Sequence, residues 1–276
     1  MKPGRGRLRS LGSWLLWVVL AGVALQLFFV ARIALMLVVD PQSTAFMRSE
    51  AWRIAGQSVS SDSPWRWSSQ WVSYSKISPH LKRAVVASED AGFVEHGGVD
   101  WDAIESAWAK NERRQQIAEK QAAKRAEREA RRAAKNPAAA KTAAAGAAAN
   151  EKPVKVVGGS TITQQLAKNL LLSGERNLLR KGQELMLALA LEALLSKERI
   201  LEIYLNNVEW GEGIFGAEAA AQRYFKKSAN QLGAHEAARL AVMLPSPKFF
   251  ETRQGSAYLA RRTATIVARM GAVQAP

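Results

Sequence analysis

Two kinds of apolar pattern divide this chain. From Leu11 to Ala31, twenty-one successive positions carry no charge, and after Arg32 the apolar character resumes as far as Val39. That run is long enough to cross a bilayer with some tilt. Downstream the apolar positions recur at helical spacing instead. They predict helices over 79 to 89, 100 to 110, 161 to 172, 178 to 195, 197 to 206, 216 to 225 and 233 to 243. Within 161 to 172, Ile162, Leu166 and Leu170 make the inward face and leave Thr161, Gln165 and Lys168 on a polar one. Leu185 to Leu195 is apolar on nearly every side, with Glu192 its only charge, so it reads as a core helix too short to span a bilayer. Strand signals are weak, the best being Trp71-Val72-Ser73-Tyr74. The expected class is mainly α, with about 200 residues after the apolar run burying a single core. Trp52, Trp65, Trp67 and Trp71 lie between the two and could pack as a small membrane-facing lobe or simply as core.

Three places carry polar residues that the helices do not need for stability. Ser78 as N-cap and Pro79 at the first helical position open the helix 79 to 89, which puts Glu89 near its C-terminal end. A carboxylate there opposes the negative end of the macrodipole, a local conflict suited to a general base of raised basicity. Further on, two glycines precede Ser160 and Thr161, either of which can cap the next helix; with Thr161 as cap, Gln164 takes the capping-box position. That helix start, with free N–H groups, a positive dipole end and Lys168, suits an anion such as a phosphate. The third place is Glu184, four residues after Arg180. The two form either a surface ion pair or a carboxylate and guanidinium poised at the mouth of the apolar helix to bind phosphate.

These residues resemble a known family, the biosynthetic monofunctional peptidoglycan transglycosylases, single-domain relatives of the glycosyltransferase module of bifunctional penicillin-binding proteins. Glu89, Asp90, Phe93, His96, Gly98 and Asp100 match its Glu-Asp-x-x-Phe-x-x-His-x-Gly-x-Asp motif. Gly158 or Gly159 through Asn169 match Gly-x-Ser-Thr-Ile-Thr-Gln-Gln-Leu-x-Lys-Asn, Arg180 to Glu184 match Arg-Lys-x-x-Glu, and Lys197 to Asn206 match Lys-x-x-Ile-Leu-Glu-x-Tyr-Leu-Asn. Four ordered motifs are far more specific than one, and the resemblance runs from about Lys76 to the C-terminus. It implies a lysozyme-like glycosyltransferase domain over 76–276, after a basic tail at 1–10, an anchor at 11–39 and a membrane-proximal segment at 40–75.

The resemblance also implies an activity, the polymerisation of lipid II into β-1,4 glycan strands with release of undecaprenyl pyrophosphate. Glu89 would be the general base, and Lys168 and Arg180 would neutralise the pyrophosphate. Glu184 would position the leaving group, alone or through a divalent cation such as Mg or Mn that the sequence does not require. Thr161, Gln165 and Asn169 would bind sugar or phosphate, while Asp90, Phe93 and His96 would shape the pocket of Glu89; a hydrogen-bonded structural role is an equal reading for His96. A lysozyme-like hydrolase and a non-enzymatic scaffold of the wall machinery are the competing functions.

One stretch departs from the family pattern. Between Asp100 and Gly159 lies an insertion, about 110–153, in which Lys110 to Lys135 hold ten Lys or Arg against four Glu before an Ala-rich tract. Its first part could be a polar helix and its second reads as low-complexity linker, so a solvated, poorly ordered excursion is expected. A basic strip lying on anionic lipid is the alternative.

The net charge of +15 raises nucleic acid as a partner. Much of the excess sits in the N-terminal tail and the insertion, there is no cysteine for a zinc site, and no RNA-binding aromatic motif appears, so anionic lipid or pyrophosphate is favoured and nucleic acid is not. Lys2, Arg5, Arg7 and Arg9 precede the apolar run, which predicts a single-pass inner-membrane protein with its N-terminus in the cytoplasm and its domain in the periplasm. Lipid II, the growing chain, membrane lipid and other wall-synthesis proteins are the expected partners.

Overall fold

The computed structural model describes residues 5–61, 65–135, 159–172 and 178–276, and divides them between two compact units, 100–160 and the remainder. The larger unit begins with α1 (Arg5–Leu35), in which Gly12–Leu35 is long and apolar enough to cross a membrane. At 1.5 Å per residue that stretch is roughly 36 Å long, beyond the ~30 Å of a bilayer's hydrocarbon. Its side chains are largely exposed, Trp14 and Trp17 among them, but Ile33 and the following Met36 are buried in the core of the unit. Arg199 fixes this end by donating to the Met36 carbonyl (2.8 Å) and to Asp40 (2.7 Å), a cation where the macrodipole favours one.

Among the described residues seven more helices surround that core: α2 (Ala45–Ser61), α3 (Pro79–Glu89), and, beyond the insertion, α5 (Ile162–Leu171), α6 (Leu178–Leu194), α7 (Lys197–Asn207), α8 (Ala217–Phe225) and α9 (Ala234–Met243). Short α10 (Pro247–Glu251) and α11 (Ala257–Arg269) close the chain. Every helix the periodicity predicts is present, so the fold is mainly α as expected. α2 and α11 have no counterpart among the predicted helices, although Ser256 caps α11 by accepting from the Leu259 N–H (3.1 Å). Caps of this kind were legible at α3 and α5.

Two expectations are corrected. Trp71 to Tyr74 is not a strand: Asn206 holds the Val72 backbone on both sides, accepting from its N–H and donating to its carbonyl (2.9 Å each), and a 3-10 turn follows at Tyr74–Lys76. The Asn206 amide, with the Glu202 carboxylate accepting from the Tyr74 N–H (2.8 Å), has taken hydrogen bonds a neighbouring strand would need. The sheet lies elsewhere, as β1 (Ser68–Ser69), β2 (Glu209–Gly211) and β3 (Ile214–Phe215), with β3 central, parallel to β1 and antiparallel to β2. β1 and the Trp67 ring, 4.8 Å from the ring of Phe215, thereby tie residues 67–69 to the helical domain. Trp52 remains 80 % exposed.

The second correction concerns 185 to 195. Leu187, Ala188, Leu191 and Leu195 are buried, but Met186 and Leu189 are each 49 % exposed, so this is no fully enclosed core helix. α6 packs beside α1, where the side-chain amides of Gln26 and Gln183 exchange two hydrogen bonds (2.8 and 3.1 Å). An apolar face beside a helix long and apolar enough to cross a membrane is suited to lipid, where a paired amide is far cheaper than a lone one.

β2 also places an acidic group where water is excluded. Glu209 is buried, with Glu50 nearby and Lys248 at 3.5 Å, and burial pushes its carboxyl up to about 7. A folded-state pKa above the unfolded one adds stability that is fully present below about pH 4.5 and is lost as pH rises through 7. Between pH 5 and pH 8 that amounts to about 2 to 3 kcal/mol. Thermal unfolding of Glu209→Gln at both values should show a correspondingly flatter dependence than the parent; an equal dependence in the two proteins would contradict the burial argument.

The second unit is dominated by α4 (Trp101–Lys135). The helix predicted over 100 to 110 therefore continues for more than six further turns, so the first part of the insertion is the polar helix its sequence allows and not the poorly ordered excursion expected of the whole. Asp100 supports its start by accepting from the Ala103 N–H (2.7 Å). Residues 136–158, which hold the Ala-rich tract and Gly158, lie outside the described residues, as do residues 1–4 of the basic tail.

Candidate active site

α3 delivers Glu89. Ser78 caps the helix, its hydroxyl accepting from the His80 N–H (3.2 Å) and donating to the Leu232 carbonyl (2.7 Å), and Leu81, Ala84 and Val85 bury the inner face. Glu89 is the last helical residue. Its carboxylate accepts from the Gln165 amide (3.1 Å) and from the Ser88 hydroxyl (3.4 Å), while the oxygen of that same Gln165 amide accepts from the Tyr204 hydroxyl (3.0 Å). Tyr204 is fully buried and its pKa is raised well above the ordinary tyrosine value, so it stays a donor and fixes which end of the Gln165 amide meets Glu89.

The Glu89 pKa is raised. Burial is the largest cause, Asp90 adds to it, and the bonds from Gln165 and Ser88 oppose it. The raised basicity that the sequence predicts is present, but removal from water rather than the helix dipole is its largest cause. Glu89 is nonetheless only partly buried as a residue, which places its carboxylate in a protein-crowded cleft still open to solvent.

The start of α5 is already supplied with an anion. Asp90, buried one residue beyond Glu89, accepts from the Ile162 N–H (3.0 Å) and from His96 Nε2 (2.9 Å). Thr161 caps the helix in a reciprocal box, its hydroxyl accepting from the Gln164 N–H (3.1 Å) while Gln164 Oε1 accepts from the Thr161 N–H (3.2 Å). The Thr161 hydroxyl donates in turn to the Gly98 carbonyl (2.7 Å). Three expectations change in consequence. The donors at this helix start serve the protein's own groups rather than a phosphate, the Thr161 side chain is buried rather than turned to the cleft, and the outward polar face is left to Gln165 and exposed Lys168, with Asn169 half-buried. Asp90 lies far upstream in sequence, so no local pattern could reveal its place on the helix.

His96 is held by hydrogen bonds at both ring nitrogens. The Gly98 N–H donates to its Nδ1 (3.1 Å), which leaves the proton on Nε2 to bond Asp90. Phe93 is fully buried edge-on to His96 and beneath the Lys197 ammonium, 4.5 Å from the ring centroid. Lys197 donates to the His96 carbonyl (2.6 Å) and to Glu192 (2.8 Å), and Glu192 also accepts from Thr163 (2.6 Å). Gly98 has a φ of +90°, and a Cβ on it would stand 2.8 Å from Glu192 Cγ, so glycine is required there. The role of Glu192 in this network was not legible in the sequence, and that of Tyr204 was hidden inside the quoted motif.

A second cluster stands on α6. Buried Glu184 accepts from Arg180 (2.9 Å) and Lys181 (2.8 Å), one carboxylate against two cations, for a net positive charge. With both its oxygens engaged, Glu184 makes a poor metal ligand, and among the described residues no three acidic or histidine side chains gather as a metal site. The ion-pair reading is therefore correct as geometry, and the excess charge leaves the phosphate reading open.

Comparison with known proteins fits this arrangement. The transglycosylase family model matches residues 60–126 and 115–271. The chain is 46 % identical over 276 residues to a biosynthetic peptidoglycan transglycosylase of Burkholderia orbicola (strain MC0-3), covering 99 % of this chain and 96 % of that one. Proteins of the same name from Burkholderia thailandensis (46 %, covering 99 % and 94 %) and Burkholderia pseudomallei (45 %, covering 99 % and 91 %) are similarly close.

Proposed function

This chain belongs to the transglycosylase family, and from that premise we propose how its residues divide the work of joining sugars. It is a peptidoglycan glycosyltransferase of cell-wall synthesis, mainly α and lysozyme-like, with lipid II and the growing glycan chain as substrates. In the proposed reaction the 4-hydroxyl of the acceptor lipid II attacks C1 of the sugar at the reducing end of the growing chain. The new C1–O bond forms as the bond from C1 to the pyrophosphate breaks, with inversion, and the hydroxyl proton passes to Glu89.

The observation that carries this reading is the Tyr204–Gln165–Glu89 relay, which orients a carboxylate whose basicity burial has raised. Lys168 and Arg180 meet the charge that develops on the leaving pyrophosphate. Glu184 acts as a positioning residue that holds Arg180 and Lys181. α1 anchors the protein in the inner membrane, with the N-terminal basic residues in the cytoplasm and the domain in the periplasm. The α6 face beside α1 keeps this cluster close to the lipid in which both substrates are held.

Purified protein incubated with lipid II should form polymer. Fragments released from mature strands, with no polymer, would make it a hydrolase; neither product would make it a scaffold.

Tyr204→Phe tests the relay. Loss of one hydrogen bond worth about 1 kcal/mol should lower turnover roughly fivefold to tenfold. With Gln165 loosened, Glu89 loses a bond that favours its charged form, so the acid limb of the pH–rate profile should move to higher pH. A slower enzyme with an unmoved limb would leave Tyr204 a packing residue only.

A further inference from the structure

The charges of α4 are segregated to a degree that composition alone does not reveal. At about 100° per residue, Lys110, Arg113, Lys120, Lys124, Arg128 and Arg131 fall within an arc of roughly 80°, with Arg114 and Arg125 on its shoulder. The row extends for about 32 Å at 1.5 Å per residue. Glu105, Glu112 and Glu119, spaced by sevens, make a separate row with Trp101 and Trp108 on the opposite side, while Glu127 lies at the margin and pairs with Arg131 (2.8 Å). From Glu112 to Arg128 nearly every residue is exposed, and Ile117, 56 % exposed, sits within the basic arc.

This arrangement works against the helix itself. Lys120, Lys124 and Arg128 follow one another at i, i+4 and i+8, where like charges repel, although the glutamates available could have been interleaved to form attractive pairs. A long basic face with an apolar residue in its midst, on a protein carrying a membrane-crossing helix, is complementary to an anionic lipid surface.

We propose that the basic face of α4 binds anionic phospholipid headgroups, giving the protein a second, charge-dependent membrane contact besides α1. Each such charge near a lipid surface strengthens binding about fivefold, so reversing three should weaken it more than a hundredfold. The contact also weakens with added salt.

The chain has no cysteine, so Ile117→Cys accepts a single environment-sensitive fluorophore. The labelled full chain would be reconstituted in bilayers of phosphatidylcholine alone or of phosphatidylcholine with phosphatidylglycerol. A blue shift and shielding from aqueous iodide should appear only with phosphatidylglycerol. High salt should reverse both, and Lys120→Glu/Lys124→Glu/Arg128→Glu should abolish both. The triple Gln variant, which keeps the charges absent without adding acidic ones, should show the same loss while circular dichroism reports an intact helix. Identical emission in the two bilayers would overturn the proposal. So would a response to soluble polyphosphate or nucleic acid with none to phosphatidylglycerol.

Discussion

Glu89→Gln is expected to abolish measurable polymerisation while leaving the fold intact. The amide keeps the shape of the side chain and can still accept from Gln165, but it cannot take a proton, and losing a general base typically costs a factor of 10² to 10⁴. Stability should hold or rise at neutral pH, because burial is the largest influence on this carboxyl and disfavours its charged form. The sign follows from the raised folded-state pKa: the contribution of Glu89 to stability is present at low pH and is lost as pH rises through that pKa. In the wild type the same shift should put the acid limb of activity above the ordinary glutamate range, since turnover needs the ionised base. Polymer formation from lipid II and thermal unfolding in detergent check the two halves. Near-normal turnover would remove Glu89 from the reaction, and a large fall in melting temperature would make it a structural residue.

What could be read from the sequence were the features whose cause is local. Ser78 and Pro79 announce α3, Thr161 and Gln164 form the capping box their spacing implies, and Glu89 ends its helix where the pattern places it. What could not be read depends on residues meeting from far apart. Asp90 occupies the start of α5 and fills the anion site that looked vacant in sequence. Asn206 occupies the backbone of Val72 and cancels the strand. Gln26 meets Gln183 across 157 positions and turns an apparent core helix into one beside the membrane anchor. In each case a polar side chain satisfies a group that local pattern had left open, and a hydrogen-bond partner leaves no periodic trace.

The charges proposed to meet the pyrophosphate offer the second large effect, and the structure separates two substitutions that the sequence treats alike. Removing a cation that meets the developing pyrophosphate should cost about 3 kcal/mol of transition-state stabilisation, roughly a hundredfold in rate. Lys168 is exposed on the last turn of α5, so Lys168→Ala should show that loss with a smaller fall in melting temperature than a buried ion-pair partner would give. Arg180 also neutralises buried Glu184 (2.9 Å), so Arg180→Ala should lose both rate and stability. Adding Glu184→Gln to Arg180→Ala removes the buried carboxylate that the single change leaves to Lys181 alone, and should recover melting temperature without restoring polymerisation. If the double variant recovers both together, Arg180 serves the fold alone. If neither Lys168→Ala nor Arg180→Ala slows lipid II polymerisation, the pyrophosphate is bound by other groups.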